Sequence, residues 1–219
     1  MKRTMDLAGL LLVLVGFAVA AVMYPALPDP MPSHWNAAGH VDGWMPKPWG
    51  AFLAPIILAG MWLLFLALPR ISPRGFEIEP FARAWGYLRV AILAFVLLAE
   101  ILVLRAATQQ GRLSERTLFV GLGVLFMVIG NLLGKVTRNF FVGIRTPWTL
   151  ASEEVWYRTH RLGGKLFVAA GFVVAASAFL DLGPWPLVFS VVLAALVSIV
   201  YSYLIYKKLE GLPAAGPST

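Results

Sequence analysis

The sequence predicts an all-α integral membrane protein with six transmembrane helices and both termini on the cytoplasmic side. Three observations carry this. The 219 residues are 59% hydrophobic and only 13% charged, against about 25% charged in a soluble domain. The apolar residues gather into six blocks, at about 7–24, 49–68, 84–104, 117–133, 165–180 and 185–206. Lys and Arg gather beside alternate ends of those blocks, which is the positive-inside pattern.

A spanning helix takes about 20 residues, and its backbone groups pair internally because lipid offers no partner. The blocks are therefore read as helices, the fifth being the shortest. A β-barrel needs alternating segments of about 10 residues, which are missing. Cysteine is absent, so disulfides, thiolate metal sites and a cysteine nucleophile are excluded. The net charge of +7 is accounted for by basic residues flanking apolar blocks, so no direct nucleic-acid binding is read from it. No metal or cofactor is expected. The chain is read as a single membrane domain over residues 1–219.

The first block has the basic start and apolar core of a signal peptide. Tyr24-Pro25 follows without a clean small-x-small cleavage site, so the block is read as a retained signal-anchor helix. Lys2 and Arg3 precede it. Arg70, Arg74 and Arg83 lie between blocks two and three, and Lys135, Arg138, Arg145, Arg158 and Arg161 between four and five. Lys207 and Lys208 follow the sixth. All fall on one side if both termini are cytoplasmic. The other side carries Lys47 and a balanced set of Arg105, Arg112, Glu115 and Arg116.

The outer loop, residues 25–48, contains Pro25, Pro28, Pro30, Pro32, Pro46 and Pro48. Proline fixes φ and restricts its predecessor, so the loop should be extended, stiff and ordered. Asn36, Gly39 and Asp42-Gly43 supply turns. Trp35, Trp44 and Trp49 suit the headgroup level. His34, His40 and Asp42 admit three readings: a metal or proton site, a ligand-binding surface, or a folded cap bonded to its own turns. The spacing is no standard metal motif.

In the third block Glu100 lies five residues from Arg105, about 7 Å along the helix. That proximity predicts a carboxylate reaching the outer interface. An intramembrane acid is otherwise a functional site by default. Arg89, near the inner end, is expected to snorkel.

The inner loop, residues 134–164, holds the most informative stretch, from Asn139 to Leu150. A simple connection needs no Arg-Thr-Pro-Trp cluster. Asn131 ends the fourth block and Lys135 opens the loop. Gly143 permits positive φ. Thr146 suits an N-cap with Pro147 at the first helical position, followed by Trp148. Ser152 is a second cap, with Glu153 and Glu154 in the first turn. From 152 to 162, Glu154, Arg158 and Arg161 share one face and Val155, Trp156, Thr159 and Leu162 the other. This predicts a short amphipathic interfacial helix ending at Gly163-Gly164. Arg145 either reaches headgroup phosphates or forks onto Asn139, Thr146 or a carboxylate. His160 is read as a satisfied structural histidine, with a proton-sensitive role as the alternative.

Two segments together resemble the SdpI family of bacterial membrane proteins. Pro32-Ser33-His34-Trp35-Asn36 through Gly39 and Asp42-Gly43-Trp44 is similar to the DUF1648 part, set at residues 1–70. The run Asn131-x-x-Gly134-Lys135-x-x-x-Asn139-Phe140-Phe141-x-Gly143-Ile144-Arg145-Thr146-Pro147-Trp148-Thr149-Leu150, continuing to Trp156, His160, Arg161 and Gly164, is similar to the C-terminal part, set at residues 117–208. The family takes its name from an immunity protein that protects a sporulating bacterium from its own secreted killing peptide. That protein also draws a repressor of its operon to the membrane. The resemblance implies a multi-pass protein of the bacterial cytoplasmic membrane, whose partners are the lipid bilayer, a hydrophobic toxin peptide and a cytoplasmic transcriptional repressor. It implies an outer ligand-binding loop (His34, Trp35, Asn36, Gly39, Asp42 and Trp44) and an inner signature loop facing the repressor.

The leading reading is therefore a non-enzymatic immunity and signalling protein. A small transporter or exporter is the first alternative, with Glu100, Asn131 and scattered serines as its only polar path. A membrane enzyme is the second. It would use His34 and Asp42, or Arg145 and His160, but no triad, paired intramembrane carboxylates or metal signature supports it.

Overall fold

The computed structural model describes residues 2–36, 39–109, 113–180 and 182–210. Ala37 and Ala38 of the outer motif, and Arg112 of the second outer loop, lie outside the described residues. The chain is mostly helical. It runs α1 (Lys2–Met23), β1 (Met31–Trp35), β2 (Val41–Met45), α2 (Lys47–Ile71), α3 (Ala82–Thr108), α4 (Glu115–Leu133), α5 (Pro147–Ala151), α6 (Glu153–Ser177) and α7 (Trp185–Glu210). Among the described residues five helices are long and apolar enough to cross a membrane: α1, α2, α3, α4 and α7.

The expectation of an all-α protein is corrected by the antiparallel hairpin β1–β2. The Pro-rich loop was read as extended, and extended backbone with a turn at Asn36–Gly39 pairs with itself. Gly39 supplies positive φ there, and the Asn36 carbonyl accepts from Gly39 N–H at 2.9 Å.

Helices α1, α2 and α3 form one group. Val13, Leu58, Leu93 and Leu97 meet in its centre. Ala20, Leu27, Met31, Ala51, Leu104 and Ala107 close its hairpin end, so β1 is seated on the helices through Met31. At the other end Arg89 is only 5% exposed and pairs with Asp6 of α1. It does not snorkel as expected. A carboxylate one helix away satisfies the guanidinium more directly than water beyond the helix end.

Helices α4, α6 and α7 form the second group. The antiparallel crossing of α4 and α6 is set by glycines spaced seven apart. A Cβ added at Gly130 would meet the Gly164 carbonyl oxygen at 2.5 Å, and one at Gly164 would meet the Gly130 oxygen at 2.6 Å. Gly123 and Gly171 repeat the contact at 2.6 and 2.5 Å. Only glycine lets two backbones approach so closely, and small residues are the usual means of packing helices in lipid.

That crossing explains a second correction. The amphipathic segment 152–162 is not a separate interfacial helix ending at Gly163-Gly164. It is the first part of α6, which continues to Ser177. Neither glycine has positive φ, as a helix-ending residue would. They serve close packing instead, Gly163 against Ile144 and Ser198, Gly164 against Gly130. The face assignment itself stands: Glu154, Arg158 and Arg161 are exposed, and Val155, Trp156 and Thr159 are buried.

Candidate functional site

Two constructions stand out at opposite ends of the helices. The first is the hairpin. Asn36 builds its turn, donating its N–H to the His40 carbonyl at 2.9 Å and accepting the His40 N–H on Oδ1 at 3.1 Å. His34 lies opposite Gly43 in a bulged register, and a Cβ at Gly43 would meet the His34 Cβ at 2.8 Å. This bulge turns His34 beside Asp42. Nδ1 lies 2.5 Å from Oδ1, with side chains 71% and 43% exposed. Trp44 and Trp49 are exposed and Trp35 is half-buried. His40 is exposed and does not join the pair. Among the described residues no group of three or more His, Cys, Asp or Glu side chains is placed to hold a metal. The hairpin therefore presents a hydrogen-bonded His34–Asp42 couple with tryptophans close by in sequence.

The second construction is the inner loop, folded into a plug against α6 and α7. Asn139 is fully buried and every polar valence of its amide is used. Nδ2 donates to the Thr137 and Val142 carbonyls at 2.8 and 3.0 Å, and Oδ1 accepts the Phe141 and Val142 N–H groups at 2.8 Å. Gly143 follows at φ 119, where an added Cβ would run into the His160 ring. His160 accepts the Ile144 N–H on Nε2 at 2.9 Å. Its Nδ1 lies 2.8 Å from the Trp156 carbonyl. A backbone N–H only donates and a carbonyl only accepts, so the ring is the neutral Nδ1–H tautomer. It stacks on Trp156 at 4.0 Å, and Trp156 Nε1 donates to the Val136 carbonyl at 2.7 Å. Burial pushes the His160 pKa down to about 4, against a smaller upward effect of the Trp156 carbonyl.

Thr146 caps α5 in a reciprocal box with Thr149, and its hydroxyl meets Ser202 of α7 at 3.1 Å. Trp148 packs on Tyr203 at 5.1 Å. Ser152 caps α6 through the Val155 N–H at 3.4 Å. Arg145, exposed, donates to the Phe140 carbonyl. It ties the loop to itself, but not through Asn139, Thr146 or a carboxylate. The Phe140 ring packs tilted against Phe76 at 4.1 Å and Arg138 lies 5.2 Å over the Phe76 ring. These contacts join the plug to the α2–α3 connection. Asn131 and Lys135 stand outside the plug and are exposed. Thr149 lies within the signature stretch but was given no role from the sequence, and Ser202 was not singled out. Thr146-x-x-Thr149 follows the capping-box spacing with threonine in place of Glu or Gln. Ser202 lies 56 residues from its partner and carried no local signal.

Glu100 corrects an expectation. It is 2% exposed and neither carboxylate oxygen has a hydrogen-bond partner. It shares the buried face of α3 with Leu93, Leu97 and Leu104, whereas Arg105 is on the exposed face. Helix phase outweighs proximity to the end. Gly16 of α1 gives it room, since a Cβ there would lie 2.8 Å from Oε2.

The geometry can now be set beside known proteins. The SdpI/YfhL protein family model matches residues 135–202, and the domain of unknown function DUF1648 matches residues 11–59. The first covers the plug with α6 and most of α7. The second covers most of α1, the hairpin and the first half of α2. The chain is 29% identical over 211 residues to the Immunity protein SdpI of Bacillus subtilis (strain 168), covering 94% of this chain and 98% of that protein. No solved structure matches. Both family parts are present in order, and together they span just over half of the chain. The protein belongs to the SdpI family.

Proposed function

We propose that this is an immunity and signalling protein of the bacterial cytoplasmic membrane, which neutralises a secreted, membrane-active killing peptide at its hairpin. The observation that carries the reading is similarity along nearly the whole of both chains to a protein named for immunity. The hairpin supplies a fitting surface. His34 and Asp42 offer an exposed polar couple, and Trp44 and Trp49 offer aromatic faces to a hydrophobic peptide at headgroup level. β1 is seated on α2 and α3, which leaves β2 as the outer strand of a two-stranded sheet. An extended peptide can add to such an edge.

In this reading α6 crosses the membrane with the five apolar helices. Its charged first turns stay on the cytoplasmic side, and both termini are cytoplasmic. The plug is then the face offered to a cytoplasmic repressor. One observation favours transport as a second reading: Glu100 is a buried, unpartnered carboxylate among α1, α2 and α3.

The test is survival of a peptide-sensitive bacterium that expresses the chain and is challenged with a killing peptide. His34→Ala, Arg145→Ala and Glu100→Gln variants are compared at matched membrane levels. Immunity at the hairpin predicts protection by wild type and Glu100→Gln, and loss with His34→Ala. Transport predicts that Glu100→Gln loses protection, that His34→Ala keeps it, and that protection collapses with the proton gradient. Loss with Arg145→Ala assigns the plug a part in protection itself. Its retention confines the plug to signalling.

A further inference from the structure

We propose that a notch between α4 and α6 at the basic end of the protein binds the phosphate of an anionic phospholipid, with Lys165 as the principal contact. The notch encloses about 350 Å³ and is lined by Gly130, Asn131, Gly134, Arg161, Gly164 and Lys165, with His160 and Val168 behind them. The glycines that set the close helix crossing also create it, because they put no side chains into the space. Its charge is one-sided. Two cations line it and no acidic residue does. The acids at the start of α6 are engaged elsewhere, Glu153 with Arg138 and Glu154 with Arg158.

Lys165 lies one helical turn beyond Arg161, about 6 Å further along the axis toward the bilayer centre. It is exposed and has no hydrogen bond or ion pair among the described residues. An ammonium group at the edge of the hydrocarbon needs a counter-charge. Arg161 is held at the rim by the Tyr157 hydroxyl at 3.0 Å, with its guanidinium 5.5 Å over that ring. Asn131 is exposed and has no partner among the described residues, so its amide is a further donor for a phosphate oxygen. Both ring nitrogens of His160 are already used, so it adds no charge. Beyond the notch, Val168 leads to exposed Phe172 on α6, opposite exposed Val124 on α4. That apolar track suits an acyl chain. Basic pockets between helices are a recurrent form of headgroup recognition.

The test uses the full-length protein in detergent, titrated with phosphatidylglycerol, phosphatidylcholine or inorganic phosphate. Bound lipid is read by native mass spectrometry and stability by thermal unfolding. Wild type should bind phosphatidylglycerol in preference to phosphatidylcholine and melt higher with it, and inorganic phosphate should not reproduce the shift. Lys165→Gln should weaken phosphatidylglycerol binding about fivefold, and Arg161→Gln with Lys165→Gln by the square of that factor. Lys165→Arg should retain it. Lys208→Gln, which removes the same charge elsewhere, should leave it unchanged. Equal weakening by Lys208→Gln and Lys165→Gln would replace the site by general surface charge. Full binding by the double variant, or an equal response to free phosphate, would overturn the lipid site.

Discussion

Acidification should unlock the plug through one residue, His160. The perturbation is protonation of Nε2, the atom that accepts the Ile144 N–H. A proton there sets two donors against each other and leaves a charge in a site only 1% exposed. The folded pKa is about 4, against an ordinary 6.5. Above pH 6.5 the ring is neutral in both folded and unfolded states, and its contribution is fully present. Between 6.5 and 4 the unfolded chain takes up the proton first. Stability therefore falls with falling pH across that window, by up to about 1.4 kcal/mol per unit. The full loss is about 3 kcal/mol, of which about 2 kcal/mol has gone by pH 5, before most carboxylates titrate. For a chain of this size that corresponds to a fall in Tm of roughly 4–8 °C. The assay is thermal unfolding in detergent, followed by tryptophan fluorescence from pH 7.5 to 5, for wild type and His160→Gln. Wild type should lose more stability on acidification than the variant, which should start lower; Glu100 is common to both and cancels in the comparison. His34 and His40 remain in the variant, so they serve as its internal control. Equal slopes in both proteins would refute the reasoning.

Other outcomes follow from the same contacts. Gly130→Val places a side chain where the Gly164 carbonyl lies 2.5 Å from an added Cβ. It should cost about 3 kcal/mol and lower the folded yield, whereas Gly60→Ala, with nothing within 4 Å, should change the Tm little. Asn139→Ala leaves two N–H groups and two carbonyls of the loop without their partner. It should destabilise by about 3 kcal/mol, read as a Tm loss and as faster hydrogen exchange at Phe141 and Val142. Glu100→Met removes a buried carboxylate with no hydrogen-bond partner and should stabilise by about 1–3 kcal/mol, measured as a higher Tm at pH 7. His34→Ala, by contrast, removes an exposed pair and should move stability by no more than about 1 kcal/mol.

The parts legible in the sequence were those fixed by local rules. Block length and apolarity located α1, α2, α3, α4 and α7, because lipid leaves a backbone no alternative to the helix. Thr146-Pro147 and Ser152 announced their caps, since a cap depends only on residues within one turn. Gly143 announced its positive φ. The failures came where a distant partner decided the outcome. Gly163-Gly164 looks like a helix end until α4 is brought alongside with Gly130. Arg89 looks like a snorkelling residue until Asp6, 83 residues away, is set beside it. Glu100 looks interfacial by distance from the helix end, yet its phase on α3 aims it at Gly16. Proline spacing showed that the outer loop was extended, but not that it would pair with itself.

The two ends differ in what they leave available to a ligand. In the plug, Asn139, Thr149, Trp156 and His160 direct their polar atoms to other parts of the plug. Such a network is rigid and has few bonds left for a ligand. It suits a docking face of constant shape that changes only as a unit. In the hairpin, the His34–Asp42 couple is largely open to solvent, so a ligand can replace its bonds at little cost. The proposed function accordingly gives recognition to the hairpin and a fixed shape to the plug. One physical link between them, beside the shared apolar core, runs through the α2–α3 connection. β1 rests on α2 and α3, and the α2–α3 connection is fixed to the plug by Phe76, packed against Phe140 and beneath Arg138. A peptide that shifts the hairpin would load that contact first. Phe76→Ala should then separate the two activities, sparing protection while abolishing recruitment of a repressor to the membrane. Loss of both at matched expression would place Phe76 in the fold rather than in the link.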